Sequence, residues 1–130
     1  MLADRRVHAT LPVATLEPSR EFWEGRLGLV PILVQPTAVM YRVGEGSVFA
    51  VSQSSGRASG ATTQMAFTVP DIEAEVAELQ GRGIVFEAYD FPGLRTENGI
   101  AKLGLNRAAW FKDPEGNLIG VIQFADGAGG

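Results

Sequence analysis

Few side chains in this sequence could do chemistry. It contains one histidine, His8, and no cysteine, so thiolate nucleophiles, disulfides and cysteine-based metal sites are excluded. Histidine is the usual general base near neutral pH, which makes His8 the natural base if the protein catalyses a proton transfer. The alternative is that His8 is an ordinary strand residue bonded to water. The sequence names no partner acid and no oxyanion site, so we assign no catalytic residue.

Trp110 is the second residue of interest. It alternates with Phe111, so if Phe111 faces a helix-covered core, Trp110 faces the opposite side. There it could stack on a flat ligand, or it could be ordinary core packing. The chain then passes through turn residues at 113–117 into a strand predicted over 118–124, which contains Gly120. A glycine inside a strand marks a bulge or a place where something approaches the backbone closely.

The first half of the chain is predicted to be β-α-β-β-β. Alternation over 7–13 predicts a strand whose odd-numbered apolar side chains face the core, while His8 and Thr10 face away from it. A helix of about three turns follows, with Phe22 and Trp23 in the core. Three further strands are predicted, the last two joined by a glycine-rich hairpin turn, at 30–35, 38–43 and 47–52.

The same pattern restarts after a connector rich in Ser, Gly and Ala. An alternating strand over 64–69, an N-cap at Asp71 and a helical stripe repeat the first half with a fixed shift that superposes Gln64 on His8. The chain is therefore predicted to be a tandem duplication. The predicted organisation is a single domain with module one at about 6–53, a linker at 54–63, module two at about 64–124 and a tail at 125–130.

The second module is expected to continue through a strand at 84–89 into a long loop at 90–107. Glycine and proline punctuate this loop, and it carries apolar side chains such as Phe91 and Leu103. A loop of this length in a compact domain is typically a functional lid or disordered, and the apolar content favours a lid or an interface flap. Phe91 and Leu103 would then close over a ligand or bury a dimer edge.

The composition limits the classes of protein. With 130 residues, 45% of them hydrophobic and 20% charged, the chain is long enough for one globular domain. No apolar run approaches the roughly 20 residues of a membrane helix, and the first six residues do not resemble a signal peptide, so we expect a cytoplasmic protein. A net charge of −4 without a basic stripe argues against nucleic acid as the main partner.

The whole chain resembles the vicinal oxygen chelate superfamily, in its small glyoxalase and bleomycin-resistance branch. Three segments carry the resemblance most specifically: HATLPVATLEPSREFWEGRLGL near the start, QMAFTVPDIEAEVAEL at the restart and FKDPEGNLIG near the end. The resemblance implies an α+β fold in which two tandem β-α-β-β-β modules form a cup-shaped mixed sheet, with the helices outside and the site inside the cup. Members of the superfamily often assemble as dimers, so the resemblance also implies a homodimer.

The resemblance also implies where a metal ion would bind. Members place ligands on the first strand of each module and a carboxylate on the last strand, and the matching positions here are His8, Gln64 and Gly120, with Ala50 as the counterpart of Gly120. Neither carboxylate position holds a carboxylate, and two neutral ligands make a poor site for a divalent ion. Other carboxylates would have to be recruited, from Glu87, Asp90 or Glu97. We therefore expect neither a metal nor another cofactor.

One function is favoured over two alternatives. The favoured function is metal-independent binding and sequestration of a hydrophobic or aromatic small molecule, such as a natural product or antibiotic, with Gly120 and Ala50 widening the cavity. The alternatives are an isomerase, lyase, transferase or ring-cleaving dioxygenase of the same superfamily, and a structural or regulatory dimer with a vestigial cup. The residues expected to contact the ligand are His8, Thr10, Gln64, Phe91, Leu103, Trp110, Gly120 and Ile122.

Overall fold

A computed structural model describes residues 1–54 and 58–125, so residues 55–57 of the predicted linker and nearly all of the predicted tail lie outside the described residues. The helices are a short 3-10 turn at Leu2–Asp4, α1 at Leu16–Arg20, which continues as a π-helix at Glu21–Arg26, and α2 at Ile72–Gly81. The strands are β1 Ala9–Val13, β2 Pro31–Gln35, β3 Ala38–Val43, β4 Ser47–Gln53, β5 Thr63–Thr68, β6 Asp90–Phe91, β7 Leu94–Glu97, β8 Ile100–Leu103, β9 Asn106–Lys112 and β10 Leu118–Gln123.

These elements confirm the predicted α+β class. The chain divides into two compact units, Met1–Ala58 and Ser59–Gly130, and each contains one sheet. Within the described residues, no helix is both long enough and apolar enough to span a membrane.

The first unit is a four-stranded sheet with its helix packed on one face. The strand order is β1-β4-β3-β2, with β1 parallel to β4 and the other pairs antiparallel. Trp23 is fully buried, and its ring meets Phe49 of β4 edge-on, with the ring centroids 4.9 Å apart. Phe22 is buried beside it, so the predicted core positions of Phe22 and Trp23 are confirmed.

The helix of the first unit differs from the single regular helix that the periodicity predicts. It widens after α1, where the backbone N–H of Leu27 donates to the carbonyl of Phe22, five residues earlier, at 3.1 Å. A polar network ties this segment to β3. Arg20 donates two hydrogen bonds to the Glu24 carboxylate, at 2.7 and 3.1 Å, and the Tyr41 hydroxyl donates a third at 2.9 Å. The bonds from Arg20 lower the pKa of Glu24, and burial raises the pKa of Tyr41.

The second unit is a six-stranded sheet with α2 on one face. The strand order is β5-β10-β9-β8-β7-β6, and β5 is parallel to β10. Asp71 caps α2 as predicted, because its side chain accepts a hydrogen bond from the backbone N–H of Ala74 at 3.2 Å. Ile72 of α2 is fully buried, as are Phe111 of β9 and Ile119 of β10, which are cross-strand partners. The side of the sheet that carries Phe111 and Ile119 is called the helix face below.

The predicted loop at 90–107 is wrong, because this segment folds into three short strands and the start of β9. Each connection is a two-residue turn, and the glycines Gly93, Gly99 and Gly104 have φ of +88°, +81° and +62°. Asn98 also has positive φ, +54°, so Asn98 and Gly99 together form the type of turn that matches the twist of a hairpin. Phe91 and Leu103 therefore lie on strands rather than on a lid.

Two strand predictions also need correction. Residues 84–89 form only an isolated bridge, between Phe86 and Phe111, instead of a strand. The first strand starts at Ala9 rather than Val7, because ladder pairing begins where Ala9 meets Phe49 of β4. Val7 is 92% exposed and does not belong to the core.

The same register occurs in both units. In each, the first strand pairs in parallel with the last. The positions where the superfamily places carboxylate ligands are Ala50 and Gly120, and both pair with small side chains of the first strand. Thr10 of β1 is the partner of Ala50 of β4, and Ala66 of β5 is the partner of Gly120 of β10. Thr10 and Ala66 are related by the same shift that the sequence shows, so the repeat extends to individual hydrogen-bonded positions.

Candidate functional site

The candidate site is built on the face of the second sheet that α2 does not cover. Trp110 of β9 is the cross-strand partner of Gly120, and Gly120 is the partner of Ala66 on its other side. Because side chains alternate along a strand, these three residues lie opposite Phe111 and Ile119, which fill the helix face. We refer to Trp110, Gly120 and Ala66 as the Trp110 row, and to this side of the sheet as the Trp110 face.

Gly120 allows the Trp110 side chain to lie close to the sheet. A Cβ atom at residue 120 would be 3.2 Å from Cβ of Ala66, 3.3 Å from Cγ2 of Thr63 and 3.6 Å from Nε1 of Trp110. The indole N–H also donates to the Thr63 hydroxyl at 3.1 Å. The glycine therefore marks a close approach, one of the two interpretations that the sequence offered. The space that it frees is taken up by Trp110 and Thr63 of the same unit instead of widening a cavity.

Two further aromatic rings adjoin Trp110. Tyr89 meets the indole edge-on with ring centroids 5.7 Å apart, and Phe91 meets Tyr89 with centroids 6.0 Å apart. Thr96 of β7 holds the Tyr89 backbone, because its side-chain oxygen accepts from the Tyr89 N–H at 3.0 Å and its own N–H donates to the Tyr89 carbonyl at 2.9 Å. Phe91 remains 53% exposed. Trp110 is thus held on two sides, while the outer ring of the group is open to solvent.

An ion pair borders the aromatic group. The Lys112 ammonium lies 3.5 Å from the Glu87 carboxylate, and the backbone N–H of Glu87 donates to the Trp110 carbonyl at 2.7 Å. Burial raises the pKa of Tyr89, and the nearby Glu87 carboxylate raises it further, while Lys112 lowers it. The Tyr89 hydroxyl is therefore neutral near pH 7 and can both donate and accept a hydrogen bond.

In the first unit, the positions equivalent to the Trp110 row carry different side chains. Ala50 of β4 pairs with Thr10 on one side and with Met40 of β3 on the other, so Met40 corresponds to Trp110. Met40 in turn pairs with Leu33 of the edge strand β2, which is 44% exposed. This face of the first sheet therefore offers a flexible thioether and an aliphatic side chain, but no aromatic ring in the row.

The structure brings some of the predicted ligand-contacting residues together and leaves others apart. Ile122 pairs with Thr68 and Ala108, which places it on the Trp110 face one row from Gly120. Leu103 pairs with Asn106, and it lies at the far end of that face. Gln64 is exposed at the start of β5.

In the first unit, Thr10 is exposed on β1. His8 is also exposed, and it precedes the strand on which the sequence predicted it. A contact of His8 with a ligand therefore remains a prediction.

The metal positions of the superfamily do not fit a metal in this chain. Gly120 and Ala50 have no donor atom in their side chains, and His8 and Gln64 would be neutral ligands. In residues 1–54 and 58–125, no three His, Cys, Asp or Glu side chains are grouped so that they could hold an ion. We therefore derive no chemistry through a metal at these positions.

Three residues of the site in the second unit escaped the sequence analysis: Tyr89, Thr63 and Lys112. Tyr89 could have been found from Phe86 and Glu87, since alternation from an inward-facing Phe86 puts Glu87 and Tyr89 on the opposite side. The contact of Thr63 with Trp110 depends on which residues pair between strands, and a single sequence carries no direct signal of that register.

The sequence model of the Glyoxalase/Bleomycin resistance protein/Dioxygenase superfamily matches residues 5–121, and the chain belongs to this superfamily. No curated protein sequence matches the chain. Among solved structures, a bleomycin-binding protein complexed with bleomycin is 18% identical over 92% of this chain and 98% of that one, with a TM-score of 0.68.

Two further structures show how varied the relatives are. TnmS3, an antibiotic binding protein from Streptomyces sp. CB03234, is 21% identical over 92% of this chain and 97% of that one, with a TM-score of 0.60. The fosfomycin resistance protein FosX from Listeria monocytogenes is 17% identical over 93% of both chains, with a TM-score of 0.65. At such identities the likeness shows the fold alone.

Proposed function

We propose that this protein binds and sequesters a hydrophobic or aromatic small molecule without a metal. The observation that carries the proposal is the anchoring of Trp110 on two sides, by the hydrogen bond to Thr63 beside Gly120 and by the edge-on contact with Tyr89. A ring that is already fixed loses little side-chain entropy when a ligand stacks on it, so more of the contact energy appears as affinity.

Polar groups beside the aromatic rings would orient the ligand. The neutral Tyr89 hydroxyl and the Glu87–Lys112 pair lie next to Trp110. The exposed ring of Phe91 contacts Tyr89. A mostly apolar surface with a few convergent polar groups is typical of small-molecule sites. Contacts from His8, Thr10 and Gln64 belong to the proposal as well, and each can be tested by its own alanine variant.

The known relatives support this class of function. Two of the similar structures are described as binding an antibiotic or bleomycin, and a third as a fosfomycin resistance protein. Sequestration needs only affinity and abundance, because a protein in excess over its ligand lowers the free ligand concentration by mass action. We further propose that the protein acts as a homodimer in the cytoplasm, and sedimentation at equilibrium would test the dimer.

Binding is best followed through the fluorescence of Trp110. The chain contains two tryptophans, so a Trp23→Phe background leaves Trp110 as the only reporter. Bleomycin and a panel of polycyclic aromatic antibiotics would be titrated into this variant, with the mass of each compound checked afterwards. We expect saturable quenching by at least one compound, which is recovered chemically unchanged.

Two substitutions then locate the contact, with binding to each variant measured by calorimetry. Trp110→Ala should weaken binding by about 30-fold, or about 2 kcal/mol, as expected for a central aromatic contact. Leu105→Ala, which truncates an apolar side chain that is 88% exposed, is the control and should leave the affinity unchanged. Equal losses in both variants would contradict the proposed site. Turnover that disappears in His8→Ala would contradict sequestration and favour an enzyme.

A further inference from the structure

Three basic side chains form one row across neighbouring strands on the helix face of the second sheet. Lys102 of β8 is the direct cross-strand partner of Arg107 of β9. On the other side of Lys102, Thr96 of β7 pairs with Ala101, so the adjacent residues Arg95 and Lys102 share the opposite face. We refer to Arg95, Lys102 and Arg107 as the basic row. It is an unusual feature in a chain whose net charge is −4.

Such a row lowers the stability of the fold unless another interaction compensates for the repulsion between its charges. Like charges directly opposite each other on a sheet destabilise it. The two arginines are each offset by an acid at an outer end of the row, where Asp90 lies 3.7 Å from Arg95 and Glu73 lies 2.7 Å from Arg107. In the described part of the chain the Lys102 ammonium has no such partner, although the strand register places Lys102 between the two arginines. Local conflicts of this kind are expected at functional positions.

The basic row opens into a groove. Helix α2 packs mainly on β9 and β10, and its residues form one wall of a groove whose other wall is the helix face of β7 and β8. One cavity of about 620 Å³ is lined by Arg95 and Lys102, and a neighbouring one of about 550 Å³ by Lys102 and Arg107. Both are also lined by the half-buried Ile100, which adds an apolar surface beside the charges.

We propose that the basic row is a binding site for a small organic anion, with one carboxylate or phosphate group on Lys102 and a compact apolar body against Ile100. An anionic oxygen there would replace repulsion with charge-assisted hydrogen bonds, since guanidinium groups have five N–H donors and Glu73 occupies only one side of Arg107. Glu97 lines both cavities, and its charge disfavours a polyanion. The basic row lies on the opposite face of the sheet from Trp110, and the exposed Phe91 at the end of the aromatic group lines one of the two cavities.

Amide NMR titrations at low salt would test the site, with inorganic phosphate, phenyl phosphate and benzoate as probes. We expect saturable shifts confined to β7, β8 and the start of β9, and tighter binding of at least one aromatic probe than of inorganic phosphate. Lys102→Gln should weaken that binding by about fivefold or more. The control is Arg42→Gln, which removes an exposed positive charge from β3 of the first unit and should leave the affinity unchanged.

Thermal unfolding gives a second readout that does not depend on ligand identity. Without added anion, Lys102→Gln should unfold at a higher temperature than the wild type, because it removes like-charge repulsion from the row. Added phosphate should raise the unfolding temperature of the wild type more than that of Lys102→Gln. The proposal is overturned if none of the probes binds saturably, if Lys102→Gln and Arg42→Gln weaken binding equally, or if a polyanion such as heparin binds more tightly than the small anions.

Discussion

The two units share a backbone plan but use it differently. In each, one row crosses the first strand, the last strand and the strand next to it, and its members are Thr10, Ala50 and Met40 in the first unit and Ala66, Gly120 and Trp110 in the second. The first unit keeps its large aromatic side chains on the helix side, where Trp23 packs against Phe49. The second unit places a tryptophan on the other side.

The residue in the middle of each row accounts for this difference. Ala50 has a methyl group, and the flexible Met40 lies beside it. Gly120 has none, and Trp110 takes up the space against Thr63. A duplicated sheet can thus acquire an aromatic surface on one unit by removing one methyl group, because neighbouring backbones and the register stay the same.

The largest predicted effect is on the free energy of unfolding, which should fall much more when Trp23 is truncated than when Trp110 is truncated. Trp23→Ala should lower the free energy of unfolding by about 3–5 kcal/mol, because it empties a fully buried site. Trp110→Ala should cost only about 1–2 kcal/mol, because Trp110 is half-buried and its loss exposes surface that solvent already reaches. Urea unfolding of the two variants would measure both values. Equal losses would mean that Trp110 is a core residue and would remove the basis for a ligand-binding role.

Exchanging the central residues of the two rows should give a smaller and asymmetric effect. Gly120→Ala should cost about 1–3 kcal/mol, because its new methyl group would be 3.2 Å from Cβ of Ala66, which is fixed to the backbone. Ala50→Gly, the matched change in the first unit, should cost about 0.5–1 kcal/mol through backbone entropy. Urea unfolding is again the measurement.

A second substitution makes the Gly120→Ala test specific. Adding Ala66→Gly removes the methyl group that the new Cβ would meet, so the double variant should recover part of the loss caused by Gly120→Ala. A double-mutant cycle measures this coupling between Gly120 and Ala66. If the two losses simply add, the close approach at Gly120 does not determine its cost.

Much of the fold could be predicted because its long strands and α2 carry clear periodic patterns. The strand β3 and the helix cap at Asp71 fall where the sequence predicts them. The segment at 90–107 could not be read from periodicity, since strands of two to four residues are too short to show alternation. The Asn98–Gly99 pair carries a hairpin signal, but the density of glycine and proline around it predicts a loop equally well.

The candidate site was less accessible to sequence reasoning. Alternation with Phe111 indicated the direction of Trp110, and the glycine rule indicated a close approach at Gly120. The partner in that approach, Thr63, and the basic pair of Lys102 with Arg107 both depend on strand register. Register follows from pairing between distant segments, so residues that are separate in sequence become neighbours only in the folded sheet.

The smallest effect is a difference in pH dependence between one carboxyl group in each unit. In the first unit, hydrogen bonds from Arg20 hold the pKa of Glu24 below its usual 4.5. In the second unit, burial raises the pKa of Asp113 above its usual 3.8, although hydrogen bonds from Asn117 oppose the shift. A carboxyl group whose pKa is lowered in the folded state stabilises the protein at pH values above its unfolded-state pKa. This stability is lost as the pH falls through the folded-state pKa. A raised one favours the fold at low pH and weakens it as the pH rises through the folded-state value.

Glu24→Gln and Asp113→Asn should therefore shift the stability profile in opposite directions, as urea unfolding at a series of pH values would show. Relative to the wild type, Glu24→Gln should cost about 1 kcal/mol near neutral pH, a loss that shrinks in acid once Glu24 is protonated in the wild type. The stability of Asp113→Asn relative to the wild type should instead rise between acid and neutral pH, since only the wild type must ionise a buried carboxyl group. Profiles that change in the same direction would show that Asp113 is held by its hydrogen bonds more than it is penalised by burial, because those bonds favour the charged form.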